Sequence, residues 1–145
     1  MTFFKLEPHI ADIRLFVVGD DLKDLFTSAY KGLYHIIRPQ GCSDKDHRVS
    51  KAMIQPVHIS SSDTTSLLIN FLSEILNISS INDAIYCQLD IINLTATHID
   101  AQLTGHPVDK FAEDIKAVSR HEANVIKNLE GKYETVIIFD IQGSL

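Results

Sequence analysis

Apolar and polar positions in this chain follow two rhythms. A period of two marks Phe3 to Pro8 and Ile13 to Val18 as strands. In the second run Ile13, Leu15 and Val17 take one side and Phe16 and Val18 the other, so burial on both faces is expected. After Gly19, Leu22, Leu25, Phe26, Ala29, Tyr30, Leu33 and Ile37 recur at helical spacing, with Asp20 or Asp21 placed to cap. The spacing predicts a helix from about Asp21 to Ile37, stopped by Pro39, Gln40 and Gly41, then a polar loop to about Ser50. Met53, Gln55, Val57 and Ile59 alternate again, and Pro56 makes this an edge or bulged strand. Asp63 caps a second helix whose apolar stripe is Leu67, Leu68, Phe71, Leu72, Ile75 and Leu76, with its end near Asn77 to Ser80.

The remainder reads mostly as strand. Ile85, Cys87, Leu89 and Ile91 alternate, as do Thr97, Ile99, Ala101 and Leu103, and Gly105-His106-Pro107 is expected to end that hairpin. Asp109 to Asp114 fits a helical turn or a loop equally. Ile115 to Arg120 and Asn124 to Lys127 are short strand candidates, and Leu129-Glu130-Gly131-Lys132 turns the chain into a final strand, Tyr133 to Ile141. This order lacks the regular βα alternation of a parallel doubly wound sheet, so an α+β fold is expected: mostly antiparallel sheet layers covered by two amphipathic helices. Residues 1–141 then form a single domain. Gln142-Gly143-Ser144-Leu145 fits no element and reads equally as a natural end or a vector-derived scar.

Composition narrows the function classes. At 145 residues and 45% hydrophobic content the chain has material for one ordinary core. No apolar run approaches the roughly 20 residues of a membrane span, and Glu7 and Pro8 interrupt the N-terminus before a signal-peptide core develops, so a cytoplasmic protein without a membrane partner is expected. The net charge of −6 disfavours a direct nucleic-acid binder. The one modest basic cluster, Lys45, Arg48 and Lys51, is diluted by Asp44 and Asp46. Cys42 and Cys87 form no CxxC pattern; Cys87 reads as a small core residue, and a structural disulfide is not expected of a reducing compartment.

The familiar phosphate-loop, dinucleotide, serine-hydrolase and HExxH signatures are missing, and no two of the seven histidines stand at i, i+3 or i, i+4. Two features remain. His9-Ile10-Ala11-Asp12 puts an imidazole and a carboxylate three residues apart before a strongly apolar strand, and Asp140 follows four apolar residues where the last strand emerges. Each aspartate can simply cap a turn or end a strand in water. A hard divalent cation is the other natural partner for two such carboxylates with backbone carbonyls.

These segments resemble the archease family. Its opening signature, His-Thr-Ala-Asp-Ile, reads here His9-Ile10-Ala11-Asp12-Ile13, followed by a strand and a helix of the Leu-xx-Leu-Phe type from Leu22 to Phe26. Asp63, Leu67, Leu68, Leu72 and Glu74 match Asp-x-Glu-x-Leu-Leu-x-x-Trp-Leu-x-Glu, with Thr65 for the Glu and Phe71 for the Trp. Asp114-Ile115-Lys116-Ala117-Val118-Ser119-Arg120-His121 parallels Glu-Ile-Lys-Ala-Val-Thr-Tyr-His, and Ile137-Ile138-Phe139-Asp140-Ile141 parallels the closing strand. The matches run in order along nearly the whole chain.

The resemblance implies a protein that is not itself an enzyme. It would activate an RtcB-type RNA ligase, which seals RNA ends carrying 2′,3′-cyclic phosphate or 3′-phosphate, by assisting guanylylation of a ligase histidine and so multiple turnover. That work belongs to tRNA splicing or RNA repair. RNA and GTP would meet this protein only through the ligase. The resemblance also implies a divalent metal, Ca²⁺ or Mg²⁺/Mn²⁺, on Asp12 and Asp140, with the Ile141 backbone as a third ligand. His9, Asp63, Lys116 and His121 are then candidates for orienting those ligands or touching the partner, against plainer readings as a structural histidine, a helix cap, a solvated lysine and a turn residue. Ile10 in place of Thr, Thr65 in place of Glu, and the tail after Ile141 are departures from the family pattern. A metal-dependent phosphoester hydrolase using Asp12, Asp140 and His9, or a general chaperone or modulator of RNA-modifying enzymes, are the rival readings.

Overall fold

The structure is a computed structural model and describes residues 3–8, 12–39, 52–109, 111 and 114–141. Its elements, in chain order, are β1 (Phe3–Pro8), β2 (Asp12–Gly19), α1 (Leu22–Ile37), β3 (Met53–Ser60), α2 (Thr64–Asn82), β4 (Ala84–Leu94), β5 (His98–Pro107), β6 (Ile115–Ser119), β7 (Ile126–Lys127) and β8 (Tyr133–Ile141). The fold is α+β, with every strand pairing among the described residues antiparallel. One sheet runs β1-β2-β8-β6, with β7 also on β8; the other runs β3-β5-β4.

Both helices begin where a carboxylate caps them. Asp21 accepts from the Asp24 N–H at 2.8 Å, and Asp63 from the Ser66 N–H at 2.7 Å. Helix α2 runs past the expected stop to Asn82 and ends on Asp83 in the left-handed region, φ 48°, a conformation that Asp tolerates better than most residues. Each helix touches both sheets: α1 packs on β1, β2 and β8 and reaches β4, whereas α2 packs on β3, β4 and β5 and reaches β6. The buried side chains therefore form one continuous core, in which the Phe26 and Phe71 rings join the helices with centroids 5.6 Å apart. Tyr30 donates its hydroxyl to the Tyr86 carbonyl, and the Tyr34 and Ser79 hydroxyls are bonded at 2.6 Å. Burial pushes both phenols well above the usual tyrosine range, so these links stay neutral and intact across physiological pH.

The structure corrects several expectations. Strand β2 is buried on one face only: Leu15 and Val17 meet the helices, whereas Arg14, Phe16 and Val18 are half-buried on the other face. The hairpin of β4 and β5 ends at Pro107, as expected, but Gly105 and His106 are still part of its ladder. This segment continues β5 against Ala84, Ile85 and Tyr86, and the turn between β4 and β5 lies at Thr95 to Thr97, where the Thr95 hydroxyl accepts the His98 N–H at 3.0 Å. Glycine is required there by a close approach, since a Cβ on Gly105 would lie 2.0 Å from the Ile85 carbonyl oxygen. Cys87 is the extra residue of a bulge in β4; it is half-buried and disulfide-bonded, not a reduced core thiol. Cys42, the basic cluster and the tail 142–145 lie outside the described residues. Pro56 stands on β3, an edge strand, as its missing N–H demands.

Gly105→Ala tests the close β4–β5 approach. It is expected to destabilise the fold by about 1–3 kcal/mol, measured by urea unfolding, because the new methyl meets backbone and not a side chain that can swing away.

Candidate functional site

The pairing of β2 with β8 decides where the two aspartates go. Its register sets Ile13 against Phe139, Leu15 against Ile137 and Val17 against Thr135 on the core side. By strand alternation the other face carries Asp12 against Asp140, Arg14 against Ile138 and Phe16 against Val136. The two carboxylates are thus direct cross-strand neighbours on one face, although 128 positions separate them in the chain. Such a pair holds its Cβ atoms about 4.5–5.5 Å apart, and like charges placed there repel. Both residues are half-buried.

This arrangement fits a hard divalent cation. Two carboxylates spaced in this way reach a shared ion with oxygen bonds of about 2.3–2.6 Å for Ca²⁺, and backbone carbonyls and water complete such spheres. The remaining donors would have to be of that kind, because among the described residues no three His, Cys, Asp or Glu side chains form a ligand group. Ile141, the expected carbonyl donor, is the last residue of β8 and pairs with Ile115. His9 lies outside the described residues.

Lys116 stands on the other side of Asp140. Strand β6 pairs Ile115 with Ile141 and Ala117 with Asp140, so Lys116 is the additional, exposed residue of a β-bulge beside the aspartate. A bulge re-aims a side chain that a regular ladder would fix by alternation. His121 follows in the turn after β6, where it is highly exposed; its N–H donates to the Ser119 hydroxyl at 3.0 Å, and its Nε2 is 3.9 Å from Glu122. Asp63 serves as the α2 cap. The Ser66 N–H, with a smaller contribution from Arg120, holds its carboxyl below the usual carboxylate range. Thr65, where the family pattern has Glu, accepts the Val125 N–H at 3.0 Å and so ties the turn after β6 to the start of α2.

One polar cluster was not legible in the sequence. On the outer face of the second sheet, Asp100 Oδ1 is bonded to His58 Nδ1 at 2.7 Å and His98 Nε2 at 2.8 Å, and His98 Nδ1 to the Ser60 hydroxyl at 2.7 Å. The His58 hydrogen bond, more than His98, holds the Asp100 carboxyl below its ordinary range. His98 and Asp100 stand at i, i+2 on one strand, a detectable signal, but His58 joins them only through the β3–β5 register.

A profile of the Archease protein family (MTH1598/TM1083) matches residues 4–141, nearly the whole chain. The chain belongs to the archease family. It is similar to Protein archease of Pyrococcus abyssi, with 26% identity across 92% of this chain and 94% of that one. Protein archease of Methanosarcina acetivorans is also 26% identical, over 92% of each. Two solved structures share the fold. The solution structure of Methanobacterium thermoautotrophicum protein 1598 superposes with a TM-score of 0.69 at 21% identity, covering 94% of this chain and 97% of that one. The crystal structure of an archease, possible chaperone, from Thermotoga maritima gives 0.63 at 16% identity, covering 94% and 95%. In this archease no helix among the described residues is long and apolar enough to cross a membrane.

The opposed carboxylates yield a stability test. In EDTA, Asp140→Asn is expected to leave the fold as stable as wild type or to gain about 0.2–1 kcal/mol, by relieving a like-charge cross-strand pair. Thermal unfolding checks this; a marked loss of stability would mean that the Asp140 charge holds the fold together.

Proposed function

We propose that this archease activates an RtcB-type RNA ligase in tRNA splicing or RNA repair, promoting ligase guanylylation and multiple turnover without sealing RNA itself. The observation that carries this reading is the direct pairing of Asp12 with Asp140 in a chain that belongs to the family. Asp12, Asp140 and the Ile141 carbonyl would hold a divalent metal, Ca²⁺ or Mg²⁺/Mn²⁺. When bound, the ion supplies positive charge for nucleotide phosphates or for organising the partner's own metal site. The chain's own residues would do the rest: the β2–β8 ladder fixes the spacing of the carboxylates, and Lys116, the exposed extra residue of the bulge in β6 next to the Asp140 pairing, would offer a positive group for a phosphate or an acidic surface. The net charge of −6 agrees with RNA and GTP being held by the ligase.

A chaperone role is the second reading, favoured by the Thermotoga maritima relative, which is described as a possible chaperone. The hydrolase reading gains less. Opposed carboxylates bind a cation, but hydrolysis also requires a nucleophile with a base aligned on it.

Purified protein is mixed at catalytic ratio with its cognate ligase, GTP, metal and RNA ends bearing 3′-phosphate, and guanylylation and turnover are followed. Wild type is expected to raise both, and Asp12→Ala and Asp140→Ala to lose most of the effect while keeping native circular dichroism. Full activation by both variants would refute the site. Absence of activation by wild type, with several unrelated clients recovered in pull-downs, would move the function to the chaperone reading.

A further inference from the structure

Arg14 lies two residues beyond Asp12 on the same face of β2 and pairs across to Ile138, one row from the Asp12–Asp140 pair. Diagonal neighbours on a sheet face stand about 7–8 Å apart, within reach of a long side chain. A guanidinium is the strongest side-chain partner for carboxylates and would, if it turned along the strand, neutralise the aspartates that a metal needs. The structure holds it elsewhere. Arg14 Nη1 and Nη2 donate to the two carboxylate oxygens of Glu122 at 2.6 and 2.7 Å, in a bidentate fork.

Glu122 reaches Arg14 from the turn after β6. Ser119 pairs with Ile138, and the chain leaves β6 beyond that pair, on the side away from Ala117 and Asp140. The fork therefore draws Arg14 along the Ile138 row and off the carboxylate row. Ile138 itself, although on the outer face, is only 4% exposed. Glu122 adopts φ 64°, a left-handed conformation that a non-glycine residue keeps only where its surroundings hold it. The turn is tied down at several points: His121 N–H to the Ser119 hydroxyl, Ala123 N–H to the Arg120 carbonyl at 3.1 Å, Asn124 N–H to Thr135 Oγ1 at 2.9 Å and Val125 N–H to Thr65 Oγ1. The fork is bidentate and partly buried on the Arg14 side, a geometry that fixes the guanidinium in one place.

We infer that Glu122 is a positioning residue for the carboxylate pair: it sequesters the Arg14 guanidinium, keeping Asp12 and Asp140 open to a divalent cation. This rests on the reading of that pair as a metal site. Arg14 and Glu122 act as a unit, so their effects on metal affinity should be coupled and not additive.

The test is a double-mutant cycle on the full chain, with Ca²⁺ and, separately, Mn²⁺ as the probe in calorimetric titrations, and thermal unfolding in EDTA to verify that each variant is folded. Glu122→Gln is expected to weaken metal binding about tenfold, a coupling of the size seen between residues in one ion-pair network. Arg14→Gln should bind as tightly as wild type or more so. In the Arg14→Gln background, Glu122→Gln should change affinity less than about twofold. Equal weakening by Glu122→Gln in both backgrounds would reduce Glu122 to a distant charge and overturn the inference, as would wild-type affinity of Glu122→Gln. Failure of wild type to bind either ion would instead remove the metal reading itself, a result distinct from these two.

Discussion

The pairing of β2 with β8 is the constraint on which the rest depends. It joins the beginning and the end of the described chain, and its register, once set by Leu15 and Ile137 on the core side, leaves no freedom in what stands on the other face. A slip of β2 by one residue would carry Asp12 into the core and Leu15 and Val17 out of it. The hydrophobic pattern thus enforces the position of the two charges. What the family reading treats as a metal site is, in folding terms, a by-product of burying Leu15, Val17, Ile137 and Phe139.

The helices make that register rigid. Gly32 of α1 lies so close to Leu15 that a Cβ there would come within 2.6 Å of its side chain, so helix and strand are in direct van der Waals contact beneath the aspartate face. The buried tyrosine links from α1 to β4 and α2 extend the same packing to the second sheet. At the rim, irregularities in the ladder carry the polar chemistry: the Lys116 bulge, and the left-handed Glu122 turn with its fork to Arg14.

Much of this was legible in the sequence, for identifiable reasons. The two helices announced themselves through 3.6-residue stripes and capping aspartates, and the edge position of β3 through Pro56. Asp12 and Asp140 could be singled out because each charge adjoins an apolar strand. That they face each other could not be read, since strand order and register are long-range properties. The same limit hid the His58–Asp100–His98 cluster and the Arg14–Glu122 fork, both made by residues far apart in sequence. The hairpin end at Pro107 was legible, but Gly105 does not punctuate: it stays in the ladder, where it admits a neighbouring backbone. The bulge at Cys87 similarly breaks an alternation that looked regular.

The central claim is that the β2–β8 register builds a cation site from Asp12 and Asp140. The most direct measurement is a crystal structure of the protein grown or soaked with Mn²⁺, with anomalous difference density collected to locate the ion. The account predicts a peak at coordination distance from carboxylate oxygens of both Asp12 and Asp140, absent from the Asp140→Asn variant. Density confined to the His58–Asp100–His98 cluster, or no ordered ion on the β2–β8 face, would contradict it.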